Sequence, residues 1–200
     1  FLHFYVLLNF FQPQQMRTGS SLFFILLLSC WTQVLVFGQS SEISFQHLSP
    51  EQGLPIHYCT GIAQDTSGFI WIGTLAGLAR YDGIRCKVFD HDRQTPHSLS
   101  DIIVRSVLLS KNGTLWVGTQ HGFNRMDFKT QQFERFHFTK YGERSDYIRC
   151  IGEDFRGKLW LGSANGLILF DPKTKQSELI KLPTDPSSKP LVYSVRSLLI

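Results

Sequence analysis

Ser110-Lys-Asn-Gly-Thr-Leu-Trp-Val-Gly-Thr-Gln-His-Gly-Phe-Asn-Arg-Met-Asp127 is the stretch whose reading decides the fold. It runs from a turn into a short strand around Trp116, reaches Gly118 two residues later, turns again at Gly122 and stops at Asp127. The same phrase recurs without a gap as Asp65-Thr-Ser-Gly-Phe-Ile-Trp-Ile-Gly-Thr-Leu-Ala-Gly-Leu-Ala-Arg-Tyr-Asp82 and as Asp154-Phe-Arg-Gly-Lys-Leu-Trp-Leu-Gly-Ser-Ala-Asn-Gly-Leu-Ile-Leu-Phe-Asp171. Trp71, Trp116 and Trp160 thus fall on one repeated position, 45 and 44 residues apart. A fixed period of this length marks an array of small units. A fourth unit opens at Val195-Arg-Ser-Leu-Leu-Ile200, matching Val104-Arg-Ser-Val-Leu-Leu and Ile148-Arg-Cys-Ile-Gly.

Each unit reads as four antiparallel strands. Val104–Leu109 is a β-branched and aliphatic run ended by a turn with Ser or Asp first and Gly fourth, the chemistry of a type I turn. The second strand, 114–119, places Trp116 and Gly118 on one face because side chains alternate. A glycine inside a strand marks a close approach to the backbone, and the neighbouring indole is the expected occupant. The next turn ends in Gly77, Gly122 or Gly166, the last as Asn165-Gly166, a hairpin signal. A third strand closes on Asp82, Asp127 or Asp171, whose carboxylate caps the following amides one or two residues ahead. A polar fourth strand follows at 86–89, 133–138 or 178–182. Four such strands in about 44 residues make one propeller blade. The fold class is therefore all-β, with three propeller blades near 58–91, 103–138 and 147–182 and a fourth starting at 192. The large aromatics are expected to pack between adjacent blades.

Composition agrees with a globular chain: 42% hydrophobic, 14% aromatic and 18% charged residues. Residues 39–200 carry 19 basic against 16 acidic side chains. That small, dispersed excess argues against nucleic-acid binding through this region. Residues 1–15 read as an upstream, non-native leader. Residues 16–38 have the layout of a signal peptide, one basic residue and then an apolar run ending at Gly38. Two other readings stay open, a lipoprotein site at Cys30 and a retained anchor over 22–37. All three place the repeats outside the cytoplasm.

From these phrases the segment 43–200, with its opening Glu51-Gln-Gly-Leu-Pro55, resembles the two-component regulator propeller repeats of bacterial hybrid sensor histidine kinases. The resemblance implies an extracytoplasmic, ligand-sensing region of a membrane signalling protein, periplasmic in location, completed by further blades of the same chain. It also implies a glycan-type or other small ligand and a homodimer in the full-length protein. The fragment itself is not expected to be an enzyme; any kinase activity belongs to the parent protein. The alternatives are a secreted propeller enzyme acting on carbohydrate, a plain binding scaffold, and the sensor of a diguanylate cyclase.

Candidate ligand-binding residues are Arg105, Arg149 and Arg196, which occupy one place at the start of the first strand, where the first blade has Thr60. If that strand is innermost, they form an arc at one channel mouth, suited to carboxylate or sulfate because guanidinium offers paired donors. The competing reading pairs each Arg with an Asp of the next blade. Trp71, Gly73, Gly77, Asp82, Trp116, Gly118, Gly122, Asp127, Trp160, Gly162, Gly166 and Asp171 are read as structural repeat positions. Arg80 and Arg125 coincide, but Leu169 breaks their pattern and suggests a tolerant, solvated position. Asp90-His-Asp92 reads as a connection and His121 as a turn residue. Cys59, Cys86 and Cys150 read as small apolar side chains in strands. No catalytic, cofactor-binding or metal-ligating residue is assigned.

Overall fold

The computed structural model describes residues 47–56, 58–180 and 194–199. The leader and signal peptide assigned to 1–38, Cys30, residues 181–182 of the third blade and the start of the fourth at 192 lie outside the described residues. Twelve strands form three four-stranded antiparallel sheets, each in sequential order. The first holds β1 (Cys59–Gln64), β2 (Ile70–Thr74), β3 (Gly77–Tyr81) and β4 (Cys86–Phe89). The second holds β5 (Val104–Leu109), β6 (Leu115–Thr119), β7 (Gly122–Asp127) and β8 (Gln132–Phe136). The third holds β9 (Ile148–Glu153), β10 (Leu159–Ser163), β11 (Gly166–Asp171) and β12 (Gln176–Ile180). The last strands of the second and third sheets begin one and two residues earlier than the sequence pattern suggests.

The sheets converge at their first strands: β1 lies against β5, and β5 against β9. First strands are therefore innermost and fourth strands outermost, the arrangement of propeller blades. Antiparallel order then puts three features at one end of every blade: the start of the first strand, the second-to-third hairpin, and the connection from the preceding blade.

Aromatic layers hold the blades together. Trp71, fully buried, sits between the first and second sheets with Leu78, Leu99, Val104, Leu115 and Phe133. Trp116 sits between the second and third, stacked on Phe123 at 5.0 Å and edge-on to Phe170 at 5.9 Å. Burying a large aromatic contributes roughly 2–3 kcal/mol from area alone. The signature glycines make this approach of sheets possible, but their occupant differs from the indole expected above. A Cβ on Gly73 would meet Val104 Cγ1 at 2.8 Å, and one on Gly118 would meet Ile148 Cγ2 at 2.8 Å. The space is shared by the first strand of the next blade and by side chains of the blade's own first strand, Thr60 beside Gly73 and Ser106 beside Gly118.

The hairpin turn ends at Gly166, as expected. Ser163 pairs with Gly166, so the two loop residues are Ala164 and Asn165. The preceding hydroxyl closes each such loop: Thr74, Thr119 and Ser163 donate to the carbonyls of Gly77, Gly122 and Gly166 at 2.8, 2.9 and 2.8 Å. All three are buried, so the Thr/Ser of the repeated phrase is a structural requirement. The opening phrase forms a 3-10 turn, Pro50–Gln52, and seats Leu54 with Ile72 and Ala79 on the outer face of the first blade.

Candidate functional site

The backbone at the start of each innermost strand is irregular in a constant way. Cys59 pairs with Thr74 and Gly61 with Gly73, leaving Thr60 without a partner residue in β2. Val104 pairs with Thr119 and Ser106 with Gly118, leaving Arg105. Ile148 pairs with Ser163 and Cys150 with Gly162, leaving Arg149. Each is a β-bulge, which takes one residue out of the ladder and re-aims its side chain.

The bulge side chains meet in one place. Arg105, Arg149 and Arg196 line an open depression of ≈ 450 Å³ together with Thr60, Tyr58, Cys59 and Tyr147. Tyr147 is the tie between blades. Its ring centroid lies 5.1 Å from the Arg105 guanidinium carbon and 4.7 Å from that of Arg149, so cation–π attraction on one ring offsets part of the repulsion between the two cations. Arg105 donates to Gln120 Oε1 at 3.1 Å, and Thr60 to the Val104 carbonyl at 3.0 Å.

Among the described residues, no acid forms an ion pair with Arg105, Arg149 or Arg196. The ion pairs among the described residues are His121–Asp101, Arg125–Glu134, His137–Asp146 and Lys175–Glu134. None involves the three arginines, and Nε of both Arg105 and Arg149 is buried without a partner. Two acids of the connections that lead into β5 and β9 are engaged elsewhere. Asp101 accepts from the Ile103 amide at 2.7 Å and holds His121 at 2.6 Å. Buried Asp146 accepts from the Phe138 amide and contacts His137 at 2.8 Å. These His–Asp pairs, with partners 20 and 9 residues apart, carry no repeat signal and escape a reading by period.

The other singled-out residues have local roles. Asp82, Asp127 and Asp171 accept from amides two and three residues ahead, one residue further than anticipated. Those amide hydrogen bonds, led by Arg85, Lys129 and Lys173 respectively, hold all three carboxyls below the ordinary aspartate range. Asp65 also binds the Trp71 indole at 2.8 Å, a second duty for a turn residue. Arg80 is half-buried, 4.6 Å over Phe69, and Arg125 binds Glu134 at 2.7 Å, so neither position is merely solvated. Asp92 is tied to Thr95 and the Gln94 amide, and His91 to the Leu99 carbonyl. Cys59 is exposed rather than buried, while burial pushes the Cys150 thiol up.

Two further depressions lie at the outer strands. Asp127, Thr130, Gln132 and Glu134 line one, and Asp171, Thr174, Gln176 and Glu178 the other. Equivalent positions in successive blades build both, so they belong to the repeat. Among the described residues, no cluster of three or more His, Cys, Asp or Glu could hold a metal ion. Nor is any described helix long and apolar enough to cross a membrane.

Residues 98–121, the end of one connection through the second-to-third hairpin, match the model of the two-component regulator propeller family. This one stretch of the chain is thus similar to a two-component regulator propeller repeat. The propeller is similar to the extracellular domain of a protein described as a one-component system from B. thetaiotaomicron, with 26% identity and a TM-score of 0.54. That match covers 66% of this chain and 19% of the other, so this chain spans about a fifth of its relative's length. A second structure, described as the extracellular domain of a hybrid two-component system from the same organism, gives 23% identity and a TM-score of 0.55 over 65% of this chain and 19% of that one. A catalytically inactive virginiamycin B lyase from Staphylococcus aureus shares the propeller fold alone, at 14% identity and a TM-score of 0.51, over 65% of this chain and 43% of that one. No curated protein matches the chain.

Proposed function

We propose that this chain is the extracytoplasmic, ligand-sensing propeller of a membrane-bound hybrid sensor histidine kinase with a glycan-type ligand. The observation that carries this reading is the regulator-propeller repeat itself, found in a chain whose relative at 26% identity is an extracellular domain of a signalling system. The end of the blades where the inner strands begin supplies the ligand-binding residues, Arg105, Arg149 and Arg196. Ligand binding there changes how two protomers of the full-length protein sit against each other, and the output follows because the ligand favours one arrangement over the other.

The test is a transcriptional or phosphotransfer readout in cells carrying the full-length protein, exposed to neutral and acidic oligosaccharides. A response to an external oligosaccharide that requires the propeller supports the reading. A full-length protein without a membrane span and a cytoplasmic kinase, or a response carried by cyclic dinucleotide synthesis, overturns the kinase assignment.

A further inference from the structure

We propose that the depression between Tyr58, Thr60 and Tyr147 is an oxyanion site, in which Arg105, Arg149 and Arg196 take a sulfate or carboxylate group of the ligand. This deepens the sensor reading by naming the chemistry that the site accepts, and it rests on that reading only for the ligand's origin.

Three observations converge on it. First, the arginines are delivered by a backbone device repeated in register: a bulge at the second residue of β5 and of β9, with Arg196 at the equivalent place in the fourth repeat. A bulge removes a residue from the strand ladder, so its side chain is not spent on holding the sheet. Second, the cations are brought together without an acid. Tyr147 lies between two of them, none of the three forms an ion pair among the described residues, and Asp101 and Asp146, in the connections that lead into β5 and β9, are each occupied by a backbone amide and a histidine. Third, the guanidinium donors outnumber the acceptors. Gln120 accepts one hydrogen bond from Arg105, and no side chain among the described residues accepts from Arg149. Buried or half-buried donors are ordinarily satisfied. A planar guanidinium matches a carboxylate or sulfate edge through parallel N–H donors, so an oxyanion supplies the charge and the acceptors that the protein withholds.

Cys59 makes the idea measurable, because it is exposed and lines the same depression. In the full-length protein, labelling of Cys59 by an anionic and by a cationic methanethiosulfonate is followed by peptide mapping. The anionic reagent is expected to be favoured, and Arg149→Gln to lower the anionic-to-cationic rate ratio on the order of tenfold, the scale of focused surface fields. Arg149→Lys keeps the charge and should keep most of the ratio, which separates lost charge from a misfolded variant. Inorganic sulfate or glucuronate should then slow labelling saturably at constant ionic strength, where chloride does not. Protection by sulfate alone assigns a sulfate ester, and protection by glucuronate alone a uronic acid. An unchanged ratio in Arg149→Gln, or no protection by either anion, overturns the site. Failure here with oligosaccharide signalling intact removes the anion site and leaves the sensor reading standing.

Discussion

Gly162 and Val195 form the join between the third blade and the segment that opens the fourth repeat. A Cβ on Gly162 would lie 2.9 Å from Val195 Cγ1, and the Val195 amide donates to the Ser163 carbonyl at 3.0 Å. Gly118 stands in the same relation to Ile148, and Gly73 to Val104. The signature glycine thus leaves room both for the first residue of the next blade's opening segment and for a side chain of its own blade's first strand, Ser106 beside Gly118 and Cys150 beside Gly162.

Gly118→Ala should therefore cost about 1–3 kcal/mol, the usual penalty for extra volume in a packed interior. Gly113, at φ +82° with nothing within 4 Å of a Cβ, should accept Asn nearly without loss, since Asn tolerates the left-handed region. Urea midpoints of the two variants in the full-length protein compare the effects directly. Equal losses would show that crowding at Gly118 is not what matters.

Trp116→Ala should cost about 3–5 kcal/mol, the range for removing a large buried aromatic. Trp160 is only half-buried in this chain, and its face is that of Gly162, where the segment that opens the fourth repeat arrives. With the fourth blade present, Trp160→Ala should cost as much as Trp116→Ala. Chemical denaturation of both variants checks this.

Thr119→Val removes a buried hydroxyl that donates to the Gly122 carbonyl and contacts Ser100 Oγ at 2.8 Å. The isostere leaves that carbonyl without its donor, at a cost of about 1–3 kcal/mol. Thr119→Ser keeps the bond and should recover most of the loss in thermal unfolding.

Acid should weaken the propeller through its turn aspartates. The folded-state pKa values of Asp82, Asp127 and Asp171 lie below their ordinary value of 3.8 because backbone amides hydrogen-bond to the carboxylates. Their contribution is present above the unfolded pKa and is lost as pH falls through the lower folded pKa, that is, below about pH 4. Replacing all three by Asn keeps the turn chemistry and removes the titration. The drop in unfolding midpoint between pH 5 and pH 2.5 should be shallower in that variant; an equal drop would place the acid sensitivity elsewhere.

Much of the fold was legible because the repeat states it three times. Turn glycines, Trp placement and the run Val104–Leu109 recur in register, so each blade corroborates the others. What escaped depends on partners in space. The bulge at Arg105 is defined by which residues of β6 pair with Val104 and Ser106, and no single strand encodes that. The occupants of the space beside Gly118 are Ser106 of the neighbouring strand and Ile148 of the next blade, so alternation within one strand pointed to the wrong neighbour. Arg80 looked tolerant because Leu169 replaces it in the third blade, yet both lie across the sheet from a repeated Trp, where a long aliphatic stem serves as well as a leucine. Asp146 and His137 meet through the irregular connection before β9, outside the periodic part. The arginine arc was legible as a repeated residue, and the absence of an acid partner among the described residues was not.

The bulge bears on how such a propeller diversifies. Thr60, Arg105 and Arg149 stand where the ladder skips a residue, so exchanging one for another disturbs neither strand pairing nor the aromatic layers. The inner rim then behaves like a row of interchangeable keys on a fixed lock body: each blade contributes one slot whose content is free to change while the housing stays as it is.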